Sequence, residues 1–71
     1  MEIWSAGYKA FREKLKKARL EAGITQVKAA KALKEKQSYI SKCEYGERRV
    51  DAVELKSFAR LYKKPIAYFI D

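Results

Sequence analysis

The sequence predicts an all-α bundle of five helices. Three observations lead to this fold class. Apolar residues recur at intervals of three and four, residues that begin and end helices separate these stretches, and no stretch alternates as a strand does. With 71 residues, of which 48% are hydrophobic, the chain has the size and composition of one small domain, to which we assign residues 1–71.

The first helix is predicted from an apolar stripe that faces away from a row of basic residues. The stripe consists of Tyr8, Phe11, Leu15, Ala18 and Ala22. Ser5 is the expected N-cap of this helix. Gly23 is expected to end it, because glycine adopts the left-handed conformation without steric cost.

The second helix is expected to begin after Thr25, which is a favourable N-cap residue. Ala29, Ala30 and Leu33 lie on one side of it, and the small alanines allow another helix to approach closely. A break is predicted near residues 34–36.

The third helix is predicted from about Gln37 to Glu44, with Gly46 as its end. Its spacing places Ile40 and Cys43 toward the core. Small polar and basic residues are expected on its outer face, and these are Gln37, Ser38, Ser41 and Lys42.

Two more helices are predicted after the loop 47–50. Asp51 and Glu54 have the spacing of a capping box, which marks the start of the fourth helix. Its buried stripe is formed by Leu55, Phe58, Ala59 and Tyr62. Pro65 suits the first turn of a short fifth helix, Ile66–Ile70.

The charge balance indicates an anionic partner and argues against an enzyme. Seventeen Lys and Arg residues against nine acids give a net charge of +8. With no histidine and one cysteine, the chain can form neither a zinc site nor a Cys/His nucleophile pair. We therefore expect no catalytic residues, no metal and no cofactor.

The chain is expected to be cytoplasmic. No apolar run approaches the roughly 20 residues that span a bilayer. Residues 1–5 also lack the basic and apolar regions of a signal peptide. We therefore expect no association with a membrane.

Three segments together resemble the Cro/C1-type (XRE-like) helix-turn-helix regulators, a family of phage repressors, bacterial regulators and antitoxins. The segments are Arg19–Gln26, Gln37–Arg49 and Glu54–Ala59. The resemblance spans roughly Leu15 to Tyr62. It implies a lambda-repressor-like domain that binds double-stranded DNA, with the helix-turn-helix at about residues 25–45.

The resemblance implies a role for several of these positions. The residues expected to contact bases are Gln37, Ser38, Ser41 and Lys42. Those expected to contact phosphates are Gln26, Tyr45, Arg48 and Arg49, and Gln26 is also expected to brace the recognition helix. Arg19 and Glu44 are expected to form a structural ion pair. The alternative is that these polar and basic groups are ordinary solvated residues.

The sequence departs from the family at the turn between the second and third helices. Most relatives have glycine, an aliphatic residue and then serine, threonine or proline where this chain has Lys34, Glu35 and Lys36. A left-handed lysine would be strained unless the turn differs or the second helix continues. A carboxylate at Glu35 would weaken an interaction with phosphate.

We expect a sequence-specific DNA-binding regulator, most simply a repressor that acts as a homodimer on a two-fold operator. The apolar C-terminal segment 65–70 is the expected dimerisation helix, with contacts from Ile66, Phe69 and Ile70. Ile3 and Trp4 are additional candidates, whereas packing within the monomer alone is the other interpretation. The alternative functions are an antitoxin that binds a toxin and a charge-driven binder without sequence preference.

Overall fold

The computed structural model of the protein describes the backbone of residues 6–70 and the side chains of residues 7–70. Within that range the chain folds into five helices, and the all-α prediction is confirmed. The helices are α1 (Ala6–Glu21), α2 (Gln26–Leu33), α3 (Gln37–Tyr45), α4 (Ala52–Tyr62) and α5 (Ile66–Ile70). The predicted cap Ser5 and the predicted contacts Ile3 and Trp4 lie outside the described residues.

Side-chain caps fix the starts of α2 and α4. The Thr25 hydroxyl accepts a hydrogen bond from the Lys28 N–H at 3.1 Å. The Asp51 carboxylate accepts one from the Glu54 N–H at 2.7 Å, and the Glu54 carboxylate accepts one from the Asp51 N–H at 3.0 Å. Each cap satisfies backbone donors that have no partner within their own helix, and so the two starts follow from the local sequence.

Left-handed residues terminate four of the helices. Gly23 and Gly46 have φ angles of 76° and 80°, as the sequence predicts for glycines after helices. Lys34 and Lys63 take the same conformation with φ angles of 58°. The break after α2 is therefore a left-handed turn, although a lysine forms it at a steric cost.

The core lies where α1 meets α3, α4 and α5, with α2 packed on α3. Its largest fully buried side chains are Phe58, Phe69, Leu15, Ile40 and Cys43. Ala29 and Ala30 are also buried, as their small size predicts for a close helix crossing. Ala22 is exposed, contrary to prediction, and lies just after Glu21, the last residue of α1.

The position of Phe69 corrects one prediction. Its side chain is 1% exposed, and its ring packs edge-on against those of Phe11 and Tyr68 with centroid distances of 6.4 Å and 5.1 Å. Phe69 therefore docks α5 onto α1 within one chain and is not accessible to a second subunit. Ile66 and Ile70 remain on the surface, 39% and 66% exposed.

None of the helices between residues 6 and 70 is both long enough and apolar enough to cross a membrane.

Candidate nucleic-acid interface

Helix α3 separates apolar from polar side chains. Ile40 and Cys43 are completely buried, whereas Gln37, Ser38 and Lys42 are exposed. Ser41 is half-buried, since it lies at the boundary between the two faces. The first turn of α3 therefore presents an amide and a hydroxyl to solvent from a firmly packed helix.

An ion pair connects α1 to the last turn of α3. The Arg19 Nε lies 2.6 Å from the Glu44 Oε2, and the Arg19 Nη2 donates to the Glu44 Oε1 at 3.2 Å. The two side chains are 8% and 1% exposed. The hydrogen bond with Glu44 raises the pKa of Arg19 above its ordinary value. This bidentate geometry orients α3, although desolvation offsets much of the attraction.

Gln26 extends this network to the start of α3. Its Nε2 donates to the Glu44 Oε1 at 3.0 Å, and its Oε1 accepts a hydrogen bond from the Gln37 Nε2 at 3.4 Å. The amide of Gln26 is thereby oriented by a buried carboxylate and in turn restricts the exposed amide of Gln37. A chain of hydrogen bonds thus runs from the interior to the first residue of α3.

The loop after α3 contains Arg48, whose guanidinium is already engaged. Its Nη1 lies 2.8 Å from the Glu54 Oε2 and donates to the Arg49 carbonyl at 3.2 Å. Its Cζ lies 4.7 Å from the centroid of the Tyr39 ring. The hydrogen bond with Glu54 raises the pKa of Arg48. The predicted phosphate contact is therefore held in several intramolecular interactions.

Tyr8 holds the same loop from α1. Its hydroxyl accepts a hydrogen bond from the Val50 N–H at 3.2 Å and lies 3.5 Å from the Arg48 carbonyl oxygen. The Arg49 Cζ lies 5.4 Å from the Tyr8 ring centroid, within cation–π distance. Arg49 and Tyr45, both predicted phosphate contacts, are exposed.

Three contacts were not predicted from the sequence: the Tyr8 hydroxyl with Val50, the Tyr39 ring with Arg48, and Arg12 with the Glu44 carbonyl. The helical spacing of Tyr8 indicated a core residue and gave no sign of its hydroxyl bond to the loop. The Arg12 Nη1 lies 3.5 Å from the Glu44 carbonyl oxygen. A Cβ added at Gly46 would meet the Arg12 Cδ at 2.8 Å. Because the flexible Arg12 side chain could move aside, glycine is needed at this position chiefly for its φ angle of 80°.

The dimensions of α3 suit a DNA groove. An α-helix with its side chains is about 10–12 Å in diameter. The major groove of B-DNA, about 12 Å wide, admits such a helix and displays the donors and acceptors of the base edges. Helix α3 is short, packed on its inner face and polar at its first turn, and it follows α2 after a tight turn. This arrangement defines a helix-turn-helix DNA-binding domain.

Comparison with known proteins agrees with this class. A helix-turn-helix family model matches residues 15–69, and the chain belongs to this family of Cro/C1-type helix-turn-helix proteins. The solved structure of an XRE-family like protein from Pseudomonas syringae pv. tomato str. DC3000 is 39% identical in sequence, with a TM-score of 0.83. The alignment covers 90% of this chain and 78% of that one. No curated protein sequence gave a significant match.

Proposed function

We propose that the protein is a sequence-specific transcriptional regulator that binds double-stranded DNA, and that it acts as a repressor by occupying a two-fold operator as a homodimer. The observation that carries the proposal is the first turn of α3, where Gln37 and Ser38 are exposed and Gln37 is oriented by Gln26. A side chain that is held before DNA arrives loses less conformational entropy on binding.

The proposed base contacts are Gln37, Ser38, Ser41 and Lys42. A glutamine amide can bond both N6 and N7 of adenine, a contact that contributes about 1–3 kcal/mol of discrimination. Ser38 can bond either a donor or an acceptor because its hydroxyl does both. Ser41 and Lys42 lie one turn further along α3, where the half-buried Ser41 is the less accessible of the two.

The proposed phosphate contacts lie on both sides of α3. Gln26 lies at the start of α2, while Tyr45 and Arg49 lie at the end of α3 and in the loop that follows it. Contacts on both sides would fix the register of α3 on the duplex without reading its sequence. The net charge of +8 adds a general attraction to DNA.

Ile66 and Ile70 support the proposed homodimer. They place two exposed aliphatic side chains on the terminal helix, whose Phe69 already docks it to the core. A dimer would present two copies of α3 to half-sites about 34 Å apart on one face of the duplex. Repression then needs only occupancy of a site that overlaps a promoter.

Ile70→Lys is expected to convert a dimer into a monomer, because it places a charge in the proposed apolar contact. Light scattering measures the subunit count. Leu20→Lys is the control, since Leu20 is 58% exposed, close to the 66% of Ile70, but lies at the end of α1. A monomeric wild-type chain, or loss of the dimer in both variants, would contradict the proposed surface.

Selection of bound duplexes from a random pool tests the proposed function. The expected result is a two-fold symmetric sequence whose half-sites are one helical turn apart. Recovery of duplexes without a shared site, together with a steep salt dependence, would instead identify a charge-driven binder and reject the regulator.

A second candidate function, an antitoxin, is favoured by the same exposed residues Ile66 and Ile70, since an apolar terminal helix also suits a protein partner. Co-purification from the native cell distinguishes the two. A stable one-to-one complex with a small toxin supports the antitoxin, whereas recovery as a homodimer alone supports the regulator.

A further inference from the structure

Arg48, Glu54 and Tyr39 form a cluster between α3 and α4 that the proposed DNA contacts do not explain. Tyr39 comes from the first turn of α3, Glu54 from the first turn of α4 and Arg48 from the loop that connects them. The guanidinium lies above the Tyr39 ring and against the Glu54 carboxylate at the same time. We call this set the arginine clamp.

The arginine clamp rests on the core. The Tyr39 ring stacks on Phe58 with an interplanar angle of 5° and a centroid distance of 6.0 Å, and Phe58 is completely buried. Burial is the main cause that raises the pKa of Tyr39, and the Cys43 thiol and Glu54 carboxylate raise it further. The surface beneath Arg48 is therefore a packed, neutral ring.

Glu54 divides its two oxygens between separate tasks. Its Oε1 accepts the Asp51 N–H and completes the cap of α4, whereas its Oε2 pairs with Arg48. A glutamine at this position can still accept the cap hydrogen bond but lacks the charge that pairs with arginine. The cap and the ion pair can therefore be separated by a single substitution.

Arg48 is connected directly to its neighbour. Its Nη1 donates to the Arg49 carbonyl at 3.2 Å, so the clamp restrains the backbone that carries the Arg49 side chain. The Tyr8 hydroxyl holds the next residue through the Val50 N–H at 3.2 Å. The loop is thus fixed at two successive points, one from α4 and one from α1.

We propose that Arg48 is a positioning residue rather than a phosphate contact: held by Glu54 and Tyr39, it fixes the loop 47–50 so that Arg49 reaches the DNA backbone. This inference rests on the proposed DNA-binding function and assigns separate tasks to two adjacent arginines. It also gives an acidic residue, Glu54, a favourable effect on the binding of an anionic ligand.

Whether Glu54→Gln raises or lowers the affinity for DNA tests this proposal. Glu54→Gln removes a negative charge near the DNA-binding face, and general electrostatics alone predicts tighter binding. Loss of the clamp predicts weaker binding instead. We expect a fall in affinity of about two- to fivefold, the size of a partly exposed ion pair. The slope of affinity against salt concentration is expected to stay unchanged, because Arg49 still contacts phosphate in the complex and the variant only adds the cost of ordering the loop on binding.

Glu47→Gln is the matched control. Glu47 lies in the same loop and is exposed, and within the described part of the chain no ion pair involves its carboxylate. The same change of charge there should leave affinity equal or slightly higher. Arg49→Ala provides the reference for a true contact, with weaker binding to all sequences and a salt slope smaller by about one unit.

Arg48→Lys supplies a second, independent variant. It keeps the charge but loses the planar fork that binds Glu54 and stacks on Tyr39. We expect the same two- to fivefold loss as for Glu54→Gln, with the salt slope retained. Circular dichroism and the melting temperature establish that each variant is folded before its affinity is compared.

The clamp also has a signature in the free protein. Stacking on the Tyr39 ring should shift the Arg48 Nε–H resonance in NMR spectra. Glu54→Gln should reduce that shift, and Arg48→Lys should remove the resonance itself. The Arg12 Nε–H resonance, from an arginine outside the clamp, is expected to remain in place in both variants.

Equal or tighter binding by Glu54→Gln, with a salt slope steeper by about one unit, would show that Glu54 merely competes with phosphate for Arg48 and would overturn the proposal. The proposal would also be overturned if Arg48→Lys bound DNA with wild-type affinity, or if Glu47→Gln lost as much affinity as Glu54→Gln. These titrations use any duplex, and so a wild-type chain that binds without site preference rejects only the sequence-specific function. A wild-type chain that binds no duplex rejects both.

Discussion

Individual buried polar residues in this molecule differ in whether they have a partner. Arg19 and Glu44 satisfy each other inside the bundle. The hydroxyls of Tyr62 and Tyr68 are buried without a hydrogen-bond partner among the described residues. An unpaired buried hydroxyl costs free energy, so these two tyrosines contribute through their rings and not through their oxygens.

Tyr62→Phe is therefore expected to leave the free energy of unfolding unchanged or to raise it. Burial is the main cause that raises the pKa of Tyr62 from its ordinary value of 10.0. The folded state therefore favours the neutral hydroxyl. Above pH 10.0 the Tyr62 hydroxyl ionises more readily in the unfolded chain, so the free energy of unfolding is unaffected by this group below pH 10.0 and decreases above it. Urea unfolding at about pH 8 and about pH 11 should show a smaller alkaline loss in Tyr62→Phe than in the wild type.

Tyr8→Phe is the matched control, because the Tyr8 hydroxyl accepts the Val50 N–H. Loss of this hydroxyl in Tyr8→Phe is expected to lower the free energy of unfolding by about 1 kcal/mol. A similar cost for Tyr62→Phe would mean that the Tyr62 hydroxyl has a partner and would contradict this account.

At the scale of the elements, the helix ends determine where α3 begins. Lys34 ends α2 in the left-handed conformation, with its N–H bonded to the Lys31 carbonyl at 3.1 Å. The Glu35 N–H bonds to the Ala30 carbonyl at 2.8 Å. This pair of hydrogen bonds is the Schellman motif, which usually has glycine at the left-handed position. The turn keeps its geometry because these bonds form regardless of the side chain.

Lys34→Gly and Lys63→Gly are both expected to stabilise the protein by up to about 1 kcal/mol, since glycine relieves the steric cost of the left-handed backbone. The gain is partly offset by the greater freedom of glycine in the unfolded chain. Urea unfolding measures both. Lys31→Gly, within α2, should instead destabilise by about 1 kcal/mol. Destabilisation by Lys34→Gly would contradict the left-handed turn.

The ion pairs that connect elements should differ in importance according to burial. Glu44→Gln leaves the buried Arg19 charge unpaired and is expected to lower the free energy of unfolding by about 3 kcal/mol. Glu21→Gln breaks the Lys64–Glu21 pair, which has an N–O distance of 2.8 Å but lies at the surface, with the two side chains 28% and 44% exposed. Little change is expected there, because solvent screens the pair. Equal effects in urea unfolding would contradict the structural role of Arg19 and Glu44.

At the scale of the whole molecule, local patterns predicted the helices, and long-range contacts decided the remainder. The caps Thr25 and Asp51 and the stop at Gly46 depend on residues close in sequence, and the structure has them where the sequence predicts. The Tyr8–Val50 hydrogen bond joins residues 42 positions apart and left no local signal.

Phe69 shows the same limit in a single helix. Spacing identifies an apolar face on α5 but does not indicate whether each side chain meets its own core or a second subunit. The ring of Phe11 contacts that of Phe69, and Phe69 therefore packs into the core of its own chain. The pairing of Arg48 with Glu54 likewise gave no signal in the sequence, where the family resemblance and the position next to α3 indicated a phosphate contact.

The molecule as a whole fixes α3 by its inner face and leaves its outer face exposed. Arg19, Glu44 and Gln26 hold α3 from behind, while Ile40 and Cys43 anchor it in the core. Gln37 is exposed at the end of that network. We propose that this side chain reads base identity.

The most direct test compares the sequence preferences of wild type and Gln37→Ala in selections from the same random pool. We expect the variant to keep most of its non-specific affinity and to lose about 1–3 kcal/mol of discrimination at the same position in each half-site. Preferences identical to the wild type at every position would contradict it.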